Sequence, residues 1–236
     1  MPMHRTNPLY LILVHTNMSF TSFTEELRAA AGDQWERVVN HKFTTELASG
    51  KIDRNVLKKY LIQDHRFLDA FVVLLAAIIS NARSLDDRIP GCQFLAMITG
   101  KENTYFTRCF EKLGCSEEER AKVPDEEVTK RFCNLMREVA LQGSLGQMLS
   151  VVVVAEWSYQ SWGEKLLQTT IRDDFTTFEW VDLHSGPYFA EVVSYLRGLL
   201  DKEGEILDFE GKLKCKEAFL RAVQLEEDFF EMAYAS

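Results

Sequence analysis

The chain of 236 residues has few of the residues that interrupt helices, with only 12 glycines and 5 prolines. Glycine and proline together are less frequent here than in an average soluble domain. Apolar residues recur at three- and four-residue spacing, and no segment alternates in the manner of a strand. No linker-like tract or repeat divides the chain. The sequence therefore predicts an all-α, single-domain helical bundle of about eight helices.

Positive charge and long apolar runs are also scarce. Asp and Glu number 36 against 27 Lys and Arg, so the net charge of −9 disfavours nucleic acid and anionic membrane surfaces as partners. No apolar window approaches the roughly 18 residues of a membrane-spanning helix. The five cysteines form no C-x-x-C pair and no metal-binding spacing, which indicates reduced thiols. We expect a cytoplasmic protein.

Motifs of several enzyme classes are missing. There is no nucleotide-binding loop, nucleophile elbow or zinc-protease motif, and no histidine follows a Glu at the spacing that di-iron bundles use. We therefore expect no metal and no cofactor. His41 is either a haem ligand or, more in keeping with its place at a helix end, a capping residue. Residues 1–17 lack helical periodicity and are predicted to be an extension preceding a domain at 18–236.

Local signals place several helix ends. Ser116 with Glu119 fits a capping box, and Pro124 followed by three acidic residues predicts the first turn of a helix. Breaks are expected at residues 88–91 and at 185–187, where proline and glycine stand together. Long helices are predicted at about 55–80, 143–168 and 212–234.

Three acidic side chains lie on the apolar faces of these long helices, namely Asp64, Glu156 and Glu226. A buried carboxylate costs several kcal/mol unless a partner compensates it. One such acid usually has a structural partner, but three on three helices favour a shared cavity. Carboxylates between aromatic rings suit a flat, nitrogen-rich heterocycle, and burial would allow them to exchange protons near neutral pH.

Three ordered segments resemble those of TenA/thiaminase II proteins. Residues 40–43 (NHKF), 46–52 (ELASGKI) and 59–68 (KYLIQDHRFL) resemble the opening of that family. Residues 179–185 (EWVDLHS) are similar to its W-I-x-x-Y-x-S segment, and 225–234 (LEEDFFEMAY) to its C-terminal L-E-Y-x-F-W-x-M-A-Y. In this order the segments extend over about residues 34–234, although each is short.

The resemblance implies a haem oxygenase-like bundle that encloses a pocket for the aminopyrimidine half of thiamin and acts in thiamin salvage. Asp64 matches the family acid that binds the exocyclic amino group of the pyrimidine. Glu226 matches the family glutamate that lies near the ring nitrogen. Cysteine-type members carry a nucleophilic cysteine where Glu156 stands here. The chain thus resembles the glutamate-type subgroup, which implies hydrolysis of aminomethyl- or formylaminomethyl-pyrimidine to the 5-hydroxymethyl pyrimidine, with Glu156 and Glu226 as catalytic residues.

Aromatic residues complete the predicted site. Phe67 and His184 replace two family tyrosines, and His184 is a candidate alternative hydrogen-bond donor. Four aromatic residues are candidate ring walls, namely Phe67, Phe71, Trp157 and Tyr159. Ordinary core packing is the favoured interpretation for them, and Trp157 also lies one residue off the face of Glu156.

Two other functions stay open from the sequence. One is a non-catalytic pyrimidine-binding or regulatory protein that kept the bundle and lost the chemistry with its cysteine. The other is an oxidase of the haem or quinone type on the same fold. We also expect a homo-oligomer, either a dimer or a tetramer.

Overall fold

A computed structural model describes residues 21–142 and 144–235, and it places them in twelve α-helices and one π-helical segment. The helices are α1 (Phe23–Ala31), α2 (Asp33–Val39), α3 (Lys42–Ala48), α4 (Arg54–Asn81), α5 (Leu85–Met97), α6 (Asn103–Lys112), α7 (Glu117–Lys122), α8 (Glu127–Gln142), α9 (Leu145–Leu167), α10 (Phe175–Leu183), α11 (Gly186–Ile206) and α12 (Phe209–Tyr234). The π-helical segment, Ile98–Glu102, joins α5 to α6. The predicted extension at 1–17 lies outside the described residues.

Helix α9 is the centre of the bundle. Sixteen of its 23 residues are buried, including the continuous run 148–159. A helix that is apolar all round must be enclosed by others. Helices α4, α11 and α12 pack along α9, and α2, α3, α8 and α10 complete its surroundings. Polar side chains within the run 148–159, Glu156 among them, are therefore directed into the protein.

The prediction of an all-α bundle is confirmed, and no strand occurs in the described ranges. The number of helices is higher than predicted because short helices lie close together in the chain. Gly32 alone separates α1 from α2, and Asn40 and His41 separate α2 from α3. Ser116 and Glu119 form the expected capping box at the start of α7. His41 caps α3: its Nδ1 accepts from the Phe43 backbone N–H, and its Nε2 lies 3.0 Å from the Glu231 carboxylate.

Two predicted boundaries are wrong. Pro124 does not open α8, which begins at Glu127. The expected break at residues 88–91 is absent, since α5 continues through Pro90. A Cβ on Gly91 would lie 2.8 Å from Ile79 and 2.9 Å from the Tyr195 hydroxyl. This glycine therefore serves the close approach of α5 to α4 and α11 rather than a turn.

Candidate active site

A cleft at the middle of the bundle brings together side chains from α4, the π-helical segment, α8, α9, α10 and α12. It has about 490 Å³ of empty space, part of it open to solvent. The lining residues are Asp64, Phe67, Leu68, Phe71, Ile98, Glu102, Phe132, Ala155, Glu156, Tyr159, Trp180, His184, Glu226 and Phe229. All seven predicted site residues are among them.

Asp64 is held in place by the residue before it. The side chain of Gln63 accepts from the Glu126 backbone N–H at 3.1 Å and from the Thr129 hydroxyl at 2.8 Å. The Gln63 amide also donates to the Pro124 carbonyl at 3.0 Å. These bonds satisfy backbone groups at the start of α8 and fix α8 to α4 beside the cleft.

The aromatic end of the cleft depends on a close contact between α9 and α10. A Cβ on Gly163 would lie 2.3 Å from the His184 carbonyl oxygen, so only glycine permits this approach. His184 donates from Nδ1 to the Trp180 carbonyl at 2.8 Å. Burial lowers the pKa of His184 to about 4, which keeps the ring neutral. Its Nε2 is therefore an acceptor, contrary to the predicted role of His184 as a donor.

Asp64 is buried with an unpaired oxygen. The residue is 8% exposed, and Oδ2 has no hydrogen-bond partner among the described residues. Burial raises the pKa of Asp64 to about 7, and hydrogen bonding to Tyr60 partly opposes that rise. The Tyr60 hydroxyl lies 2.7 Å from that of Tyr159. An orphaned carboxylate oxygen facing a cleft is suited to accept a hydrogen bond from a ligand.

The other carboxyl groups in the cleft also favour their protonated forms. Burial raises the pKa of Glu226 well above its ordinary value, and the charge of Asp64 adds to the effect. Burial likewise raises the pKa of Glu156, with further contributions from Glu102, Glu226 and Asp64. A buried carboxylic acid that is protonated near neutral pH can act as a proton donor. Neighbouring acids of this kind titrate as a coupled group.

Sequence periodicity did not reveal Glu102, the fourth acid. It lies in the π-helical segment, where the wider turn breaks the 3.6-residue repeat. His65, next to Asp64, donates from Nε2 to the Asn103 side chain at 3.0 Å and so fixes the segment against α4. Burial, followed by the charge of Asp64, raises the pKa of Glu102 to about 8.

Aromatic side chains form the apolar walls. Phe67 stacks on Phe71 with ring centroids 5.6 Å apart and meets Phe132 edge-on at 4.9 Å. Phe132 and Trp180 also line the cleft, and neither was among the predicted site residues. Trp157 is not part of the cleft: it packs 5.0 Å from Trp35 with the Arg197 guanidinium over its ring at 3.7 Å, so core packing is correct for it.

In the described ranges, no group of three or more His, Cys, Asp or Glu side chains is arranged to hold a metal ion. No helix of those ranges combines the length and apolarity needed to cross a membrane. The lining of the cleft offers carboxyl groups, one neutral imidazole, the Tyr159 hydroxyl and aromatic rings.

The fold belongs to a known class. A domain from Shewanella denitrificans with a heme oxygenase-like fold has a TM-score of 0.64 with this chain at 14% identity, covering 92% of this chain and 93% of that one. A TenA homologue from Pyrococcus furiosus has a TM-score of 0.80 at 23% identity, covering 90% of this chain and all of that one. These likenesses establish the bundle architecture.

The family follows from the sequence as a whole. The TENA/THI-4/PQQC family model matches residues 28–236, and the chain belongs to that family. A protein of Halalkalibacterium halodurans named aminopyrimidine aminohydrolase is 27% identical over 90% of this chain and 96% of its own length. The resemblance to TenA proteins is thereby confirmed at the level of the family.

Proposed function

We propose that this protein is an aminopyrimidine hydrolase of the glutamate type, which acts in thiamin salvage. The observation that carries the proposal is the cluster formed by Asp64, Glu156 and Glu226 between aromatic walls, with no Lys or Arg among the described lining residues. Carboxyl groups accept hydrogen bonds from amino groups and exchange protons with ring nitrogens. The name of the Halalkalibacterium relative agrees with this reading.

In this mechanism Asp64 accepts a hydrogen bond from the 4-amino group of the pyrimidine through its unpaired Oδ2. Glu226, whose raised pKa keeps it protonated, donates to the ring nitrogen. The amine of the substrate is protonated, so when the bond between it and the 5-methylene carbon breaks, the electron pair leaves with nitrogen and neutral ammonia departs. A water oxygen forms the new bond to that carbon, and Glu156, in its ionised form, takes the proton that the water loses. The products are the 5-hydroxymethyl pyrimidine and ammonia.

The glutamate-type assignment rests on Glu156. No cysteine occurs between Cys133 and Cys215 in the sequence, and none lines the described cleft. Cleavage of thiamin by a thiolate nucleophile therefore lacks its nucleophile in this cleft. Burial raises the pKa of the Cys133 thiol to about 11, which further reduces its nucleophilic form.

The test is incubation of the purified protein with 4-amino-5-aminomethyl-2-methylpyrimidine, its N-formyl derivative and thiamin, followed by mass spectrometry. We expect the 5-hydroxymethyl product from the first compound or its formyl derivative and little thiazole from thiamin. Alkylation of accessible thiols should leave the aminopyrimidine reaction intact. Binding without conversion would support the non-catalytic alternative, and thiazole release that alkylation abolishes would contradict the glutamate-type assignment.

A further inference from the structure

The cleft contains more carboxyl groups than are needed to bind the pyrimidine ring. Four carboxyl groups line it, and the described lining residues include neither Lys nor Arg. Under the proposed function, on which this inference rests, Asp64 and Glu226 bind the amino group and the ring nitrogen. Glu156 accepts the proton of the attacking water, so Glu102 remains without an assigned contact. It lies close enough to Glu156 for its charge to raise the pKa of that group.

The π-helical segment that carries Glu102 is held at both of its ends. The bond between His65 and Asn103 ties the start of α6 to the turn of α4 that carries Asp64. Ile98, at the other end of the π-helical segment, is 1% exposed and also lines the cleft. Glu102 itself is only partly buried. A carboxyl group at this place is accessible to a ligand in the cleft.

A second observation indicates that the acidic cluster serves a ligand. The Asp64 side chain is more than nine-tenths buried, lines the same cleft, and keeps Oδ2 without a partner among the described residues. A cluster with structural partners would satisfy this oxygen. The cleft therefore has an unmet requirement for a hydrogen-bond donor at Asp64.

We propose that Glu102 is a specificity-determining residue, and that its carboxylate, together with Glu156, receives a positively charged substituent on the 5-methylene carbon of the pyrimidine. The substrate class that this geometry selects is the protonated 5-aminomethyl pyrimidine rather than its neutral N-formyl form. The pKa values of Glu102 and Glu156 are raised by burial, and a cation held between them favours the ionised form of both. The proposed attack by water requires Glu156 in that form.

The test uses two non-hydrolysable ligands of similar shape, the charged 5-(2-aminoethyl) and the neutral 5-(2-hydroxyethyl) derivatives of 4-amino-2-methylpyrimidine, with affinity measured by titration calorimetry. The wild-type protein should bind the charged ligand more tightly. Glu102→Gln should weaken binding of the charged ligand about ten- to a hundred-fold and change binding of the neutral ligand by less than about threefold. Glu111→Gln, an exposed change on α6, is the matched control and should alter neither affinity.

If Glu102 has only a structural role, Glu102→Gln will weaken binding of both ligands to the same extent, and that result would overturn the inference. If Glu102→Gln does not fold, Glu102→Asp provides a variant that keeps the charge and should keep the preference. A wild-type protein that binds the neutral ligand as tightly as the charged one, or that binds neither, also contradicts the inference. Hydrolysis is measured separately by ammonia release, so the absence of turnover would contradict the proposed function without affecting the comparison of the two ligands.

Discussion

Glu203 on α11 and Glu226 on α12 are buried to a similar degree, 5% and 3% exposed, but their surroundings are opposite. The Glu203 carboxylate meets the Arg83 guanidinium at two points, with its two oxygens 2.8 and 3.1 Å from Nε and Nη2. Glu226 faces a cleft whose other ionisable groups are three acids, a neutral histidine and the Tyr159 hydroxyl, with no cation among the described lining residues. The first environment compensates a negative charge and the second opposes it.

The difference indicates which buried acids serve structure and which serve chemistry. A two-point contact with a guanidinium satisfies a carboxylate and needs no ligand. Acids gathered without a cation destabilise the folded protein, and such clusters are typical of sites whose proton affinities are adapted to a reaction. The degree of burial alone does not distinguish Glu203 from Glu226.

The largest expected effect is the loss of turnover on removal of the cleft acids. Glu156→Gln and Glu226→Gln should each lower kcat about 10²- to 10⁴-fold, about 3–5 kcal/mol of barrier, because each removes a proton-transfer group. Both variants should keep a cooperative melt. The measurement is steady-state hydrolysis of the aminopyrimidine.

Glu164→Gln, an exposed change on α9, is the control for this pair and should keep wild-type kinetics. Near-normal turnover in either cleft variant would show that its carboxyl group is structural, and the comparison with Glu203 would then fail at that residue.

Asp64→Asn should impair binding more than turnover. We expect KM to rise about 10- to 100-fold with a smaller change in kcat, because the amide presents one acceptor oxygen to the substrate amino group instead of two. Asp69→Asn, on the exposed face of α4, is the matched control. Loss of the cooperative melt in Asp64→Asn would instead indicate a structural partner for Asp64.

Stability should depend on pH because of the cleft acids. The pKa of Asp64 is raised to about 7 and that of Glu102 to about 8, so the folded protein keeps protons that the unfolded chain releases above about pH 4. Their stabilising contribution is complete below that pH and is lost as the pH rises through 7 to 8. Asp64→Asn should therefore gain about 1–4 kcal/mol relative to the wild type between pH 4 and pH 8, measured by urea unfolding. An equal difference at both pH values would contradict the raised pKa.

The smallest effect is expected at Glu203, the buried acid that is paired with Arg83. Glu203→Gln should leave kcat/KM within about threefold of the wild type and lower the melting temperature by about 2–4 °C, because Arg83 is largely exposed and water can take over part of its contact. The neighbouring exposed change Glu205→Gln should alter neither quantity. A large loss of activity in Glu203→Gln would remove the distinction between the two kinds of buried acid.

Helical periodicity was sufficient to find Asp64, Glu156 and Glu226, because each interrupts an apolar face and the cost of burying a charge makes such an interruption informative. The same reasoning could not find Glu102. Its segment is π-helical, and the wider turn directs a side chain to the cleft that a 3.6-residue repeat would place elsewhere.

The sequence by itself determined the all-α class, the family and the inward acids, since these depend on composition, spacing and local residue order. Only the tertiary structure decided how those acids differ from Glu203, which shares their burial but has Arg83 as its partner from a distant part of the chain. It also decided that Gly91 serves close packing and that His184 presents an acceptor. Partners, close approaches and proton positions depend on residues far apart in the chain, so they exist only once the helices have packed.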